Sequence, residues 1–118
     1  MKRISIATAI TCLMLSTLAE AEQTTRYSIA HTRQRDTNMV FVVLGSSFFS
    51  GDSNRQQRWY TSMQSCVRGA NLAGEVVVVA NVNGRFKYYG PKTWHNYLRT
   101  VDMAWVNARL NKKLTCSF

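Results

Sequence analysis

Apolar positions along this chain form two kinds of run, and their periods separate strands from helices. Met39–Leu44 is apolar throughout and rich in Val and Phe, as in a buried strand, and Gly45-Ser46-Ser47 ends it. The valines Val76–Val79 mark a second strand over Glu75–Val82. Asn83-Gly84 follows, and then the strand-like run Arg85–Tyr89, so a two-residue hairpin turn is predicted here. That turn fixes the register, with Val82 opposite Arg85, Ala80 opposite Lys87 and Val78 opposite Tyr89. One face then carries Val77, Val79, Phe86 and Tyr88. The other carries Val76, Val78, Ala80, Val82, Arg85, Lys87 and Tyr89. Leu114, Cys116 and Phe118 alternate and predict a closing strand. Upstream, Tyr27, Ile29 and His31 alternate more weakly, which suits a short edge strand over Arg26–Thr32, and polar Arg33–Asn38 reads as a loop.

Two other stretches follow a helical period. In Ser53–Ala73 the residues Trp59, Met63, Val67 and Ala70 share a face, with Arg55, Arg58, Gln64 and Arg68 on others. Ser53 and Gln56 fit a capping box at its start, and Gly74 supplies the stop. Gly69 inside this helix costs about 1 kcal/mol of propensity, which a close backbone approach would explain. A second helix opens at Gly90-Pro91, where proline suits the first turn. Its stripe is Trp94, Leu98, Val101, Trp105 and Ala108; His95, Arg99 and Asp102 share another face, with Asp102 a partner for Arg99. Lys112-Lys113 lie at its end, where cations oppose the dipole. The order is β-α-β-β-α-β with an extra strand in front. That is the split, ferredoxin-like order of an α+β fold: a small single domain, an antiparallel sheet with two helices on one face.

The first residues change the picture. Lys2-Arg3 is a positive start, Ile4–Leu18 is uncharged and mostly apolar, and Ala19-Glu20-Ala21 places small residues at a cleavage site. Residues 1–21 therefore read as a secretory signal peptide, too short in its apolar part for a transmembrane span. The working chain is then 22–118, periplasmic or secreted, and Cys12 leaves with the leader. Two cysteines remain, Cys66 and Cys116, and an oxidising compartment makes them one disulfide. Removing Lys2, Arg3 and Glu20 from the 15 basic and 6 acidic residues leaves 13 and 5, a net charge of +8. Such a chain favours an acidic protein or an anionic envelope component as partner.

Candidate chemistry is sparse. The sheet face expected opposite the helices interleaves Arg85 and Lys87 with Tyr89, a pattern that suits single-stranded nucleic acid, though export argues against that ligand. The same residues suit an acidic protein, with Arg55 and Arg58 as second choices. Val76, Val78, Ala80 and Val82 could also join copies of the chain or build it into an envelope assembly. A ribonuclease-like hydrolase would need His31 and His95 together with Lys87 or Lys92, but the histidines belong to no motif. No paired carboxylates, phosphate loop, metal-binding spacing or cofactor motif is present. The leading expectation is an exported, non-enzymatic binding module of inhibitor, immunity or envelope-associated type.

Overall fold

The two most apolar runs lie side by side at the centre of one sheet. A computed structural model describes residues Thr24–Phe118, so the expected leader, residues 1–21, lies outside the described residues. β1 (Thr24–Gln34) and β2 (Thr37–Val43) form an antiparallel hairpin. β2 leads through a short 3-10 turn, Ser46–Ser50, into α1 (Ser53–Gly69) and on to β3 (Glu75–Val82). β3 pairs with β4 (Arg85–Tyr89) in the register read from Asn83-Gly84, whose φ values of 53° and 82° are those of the expected primed turn. A second 3-10 turn, Lys92–Trp94, precedes α2 (His95–Leu98) and α3 (Met103–Ala108), and β5 (Lys112–Ser117) closes the fold. The α+β class and the Cys66–Cys116 disulfide are as expected.

The arrangement of the sheet differs from the expected one. Its order is β4-β3-β2-β1-β5, and β2 and β3 are direct parallel neighbours, so the sheet is mixed and the β-α-β unit is not split. The closing strand pairs with β1, which is interior and long rather than a short edge strand. The β1–β2 turn is Arg35-Asp36, both at positive φ (48° and 63°), a conformation taken here without the glycine that usually marks it. The stretch read as a loop, Arg33–Asn38, is the end of that hairpin.

The helices also do not share a face. α1 covers Ile29, Val40, Val42, Val76, Val78, Leu114 and Cys116. The other face, with Ala30, Phe41, Val77 and Val79, packs against Leu98, Val101 and Val106 of the α2–α3 segment. Unbroken apolar runs such as Met39–Val42 and Val76–Ala80 are what two-sided burial requires, since alternation would leave one side polar. The long second helix breaks in two: Thr100 donates its hydroxyl to the Tyr97 carbonyl (2.6 Å), and Asp102 accepts from the Trp105 amide (2.8 Å). Asp102 is therefore the N-cap of α3 rather than the partner of Arg99. Lys112 and Lys113 begin β5 instead of ending a helix.

α1 starts as expected but is capped one residue earlier, by the Asp52 carboxylate accepting from the Arg55 amide (2.8 Å). Gln64, expected on a polar face, is only 8% exposed. Its Nε2 donates to the Gly74 carbonyl (3.1 Å) and its Oε1 accepts from the Val76 amide (2.9 Å), fastening α1 to the start of β3. The close backbone approach expected at Gly69 is found at Gly74 instead. A Cβ on Gly74 (φ 118°) would sit 2.5 Å from the Asn38 carbonyl oxygen, whereas one on Gly69 would meet nothing within 4 Å.

Candidate binding surface

The register of β4 decides where the predicted contact residues go. Arg85, Lys87 and Tyr89 pair with Val82, Ala80 and Val78, and Val78 is buried under α1. Their side chains therefore stand on the α1 side of the sheet, not on a bare face opposite the helices. The valine surface offered for self-association is largely covered: Val76, Val78 and Ala80 are wholly buried within the chain, and Val82 beside the turn is half-buried. Arg55 and Arg58 belong to the first turns of α1, above the same face. Leu44, after the end of β2, donates its amide to Val79 (3.0 Å), which puts the start of α1 at the end of the sheet where β4 begins. Arg85 and Lys87 on β4 and Arg55 and Arg58 on α1 are thus exposed on the same side of the sheet, with Arg55 toward Tyr27 of β1 and Leu44.

Tyr89 behaves differently from its neighbours. Its hydroxyl donates to Gln57 Oε1 (3.1 Å), and its ring packs against Phe48 (centroids 5.6 Å apart) and Tyr60 (5.4 Å). It anchors β4 beneath α1. Phe48 also contacts Trp59, which in turn meets Tyr27 and Phe118, so an edge-to-face chain of aromatic rings runs under this end of α1.

Two cavities flank that chain. The first, about 210 Å³, lies between Tyr27, Phe48 and Trp59, with Arg55 and Gln56 at its side. The second, about 480 Å³, opens beyond the end of β4 between Tyr60, Tyr88 and Tyr89, with Glu75, Lys92 and His95 around it. Burial, reinforced by nearby Glu75 and Tyr89, pushes the Tyr60 phenol up to about 12. Its hydroxyl donates to the Val76 carbonyl (2.7 Å), so it is a neutral structural donor. The sequence offers no signal joining Tyr60 to Tyr88 and Lys92, because the wall is built from three separate elements.

The histidines do not assemble. His31 stands on β1 with Nε2 2.8 Å from the Ala73 carbonyl; His95 follows β4 with Nε2 3.3 Å from the Gly90 carbonyl. β2 and β3 separate β1 from β4, three strand spacings or about 14 Å. The two rings are held on carbonyls of different segments, Ala73 before β3 and Gly90 after β4. Among the described residues no group of three or more His, Cys, Asp or Glu side chains could hold a metal, and no helix is long and apolar enough to cross a membrane.

The distribution of charge is the most unequal feature. All 13 lysines and arginines after residue 23 are exposed. Among the described residues only Arg33 has a carboxylate partner, Asp36 at 3.6 Å. Asp52 and Asp102 are occupied as helix caps. Arg109 lies over the Trp105 ring, 4.0 Å from its centroid. No family model, curated protein or solved structure matches the chain.

Proposed function

We propose that the chain is an exported, non-enzymatic binding module that holds an acidic partner against the basic rim of Arg85 and Lys87 on β4 and Arg55 and Arg58 on α1. One observation carries the reading: these cations are exposed and have no carboxylate partners among the described residues. Cations left unpaired retain their full attraction for an outside anion. The leader-like start suits export, and the Cys66–Cys116 bond suits an oxidising compartment. Separated histidines give a hydrolase no support, and buried valines give an assembly through the sheet face none.

The test is retention on immobilised polyglutamate across a sodium chloride gradient. The protein is expected to bind at low salt and to elute as the screening length falls from ~10 Å at 0.1 M toward ~3 Å at 1 M. Reversing Arg55, Arg58, Arg85 and Lys87 to Glu should abolish retention, while reversing Arg99 and Lys112, which lie off this rim, should weaken it far less. Retention that ignores salt, or that survives the fourfold reversal, sinks the proposal.

A further inference from the structure

The basic rim includes a sheet edge with free backbone groups, and that edge has a readable code. Among the described residues β4 is an outermost strand of the sheet, hydrogen-bonded on one side only, to β3. A two-residue turn makes the residues flanking it a hydrogen-bonded pair, and the pairing alternates from there. Arg85, Lys87 and Tyr89, opposite Val82, Ala80 and Val78, therefore spend their N–H and C=O groups on β3. Phe86 and Tyr88 direct theirs outward, to the open side. The side chains alternate with the same period. Arg85 and Lys87 are exposed on the α1 face, and the half-buried rings of Phe86 and Tyr88 lie on the α2–α3 face, 6.1 Å apart by centroid.

We infer that β4 accepts an extended acidic peptide as an added antiparallel strand. The inference rests on the acidic-partner reading and deepens it by specifying the partner. In such an addition the residues opposite Phe86 and Tyr88 exchange backbone hydrogen bonds with them, and their side chains meet the two rings. The residues opposite Arg85 and Lys87 project on the α1 face, where cross-strand neighbours stand roughly 5 Å apart by Cβ. The edge therefore selects a strand that alternates acidic with apolar residues. A second copy of this chain is a poor occupant, because pairing β4 with itself would set cation against cation. Backbone bonding would supply affinity and the alternation specificity, as in strand addition generally.

The experiment uses a short fluorescent peptide alternating glutamate and valine, read by anisotropy against the protein. Three comparisons define the mode. N-methylating the valines, whose N–H groups face β4, should weaken binding about tenfold or more, while N-methylating the glutamates, whose N–H groups face away, should change it little. The Arg85→Glu/Lys87→Glu variant should lose the glutamate peptide and take up a lysine–valine peptide, which also shows that the variant is folded. Equal loss from both methylated peptides, or the reverse order, overturns strand addition. No peptide binding alongside salt-sensitive retention on polyglutamate overturns it too, but leaves the acidic-partner reading standing. Failure of both means that the underlying reading is wrong as well. Binding to vesicles containing anionic phospholipid with none to the peptide overturns it in favour of a lipid surface.

Discussion

Reducing the Cys66–Cys116 disulfide should cost this domain a large part of its stability. The bond joins α1 to β5 across a sequence separation of 50 residues. A crosslink closing a loop of that length removes about 14 cal/mol/K of entropy from the denatured chain, or about 4 kcal/mol at 25 °C. Domains of this size have a total stability of only ~5–15 kcal/mol. Without the bond, β5 keeps its antiparallel pairing to β1, from Thr24 opposite Ser117 to Ile29 opposite Lys112, and the burial of Leu114 and Cys116. The assay is urea unfolding of oxidised protein and of protein held in reductant, followed by far-UV circular dichroism and by tryptophan fluorescence. Trp59 is the useful reporter, since its ring lies 6.0 Å from Tyr27, in the middle of the β1–β5 pairing, and 5.9 Å from Phe118, just past its end. With a urea slope of roughly 1–2 kcal/mol/M, the midpoint should fall by about 2–4 M. A loss below about 1 kcal/mol would refute the loop-entropy argument. Fluorescence changing well before circular dichroism would refute it differently, by showing β5 peeling away while the rest of the sheet persists.

Two glycines should respond in opposite ways to alanine when thermal midpoints are compared. Gly69→Ala meets no neighbour and should stabilise by roughly 0.5–1 kcal/mol, whereas Gly74→Ala combines a φ of 118° with a 2.5 Å approach to Asn38 and should destabilise by at least about 1–3 kcal/mol. Alkaline titration should find Tyr60 ionising near 12 while the unfolded chain ionises it near 10, so the stability this phenol confers is complete below pH 10 and lost as pH rises toward 12. Tyr60→Phe should flatten that part of the stability–pH curve, as followed by urea midpoints at each pH. Asp102→Ala removes the cap of α3 and should cost about 1 kcal/mol without altering polyglutamate retention; a null effect on the melting midpoint would contradict the capping role.

Elements with strong local chemistry were legible in the sequence, and their long-range arrangement was not. Asn83-Gly84 specified a turn and, through it, the register of β3 and β4 down to the pairing of Lys87 with Ala80. The helical spacing of Trp59, Met63 and Val67 placed α1, with Met63 and Val67 wholly buried. The Arg35-Asp36 turn carries no glycine and lies in a charged, polar stretch, so the local pattern suits a loop and a short edge strand rather than the long interior β1. The sheet faces differ from expectation for one reason. The hairpin register alternates Val76–Val79 between two faces but does not say that both are covered, which an unbroken apolar run favours. Whether Trp94–Ala108 is one helix or two depends on Asp102, whose capping competes with helix continuation and is not visible from the stripe. The separation of His31 from His95 was beyond local reading, because it follows from strand order alone.

Coverage of both faces bears directly on where a partner can sit. A sheet with one open face could bind through its residues at large. Here Val76–Val79 are fully buried, and the surface left to a partner consists of helix exteriors, loops and the outer sides of β4 and β5. The cations concentrated on that surface do little for the fold, since exposed charges without partners contribute no attraction and repel one another. Of the described acids, Asp52 and Asp102 serve the helix ends, Asp36 pairs with Arg33, and Glu75 lies at the cavity beside Tyr60. Arg85 and Lys87 flank the outward-facing backbone groups of one edge strand, β4, while Lys112 and Lys113 stand on the opposite edge, β5.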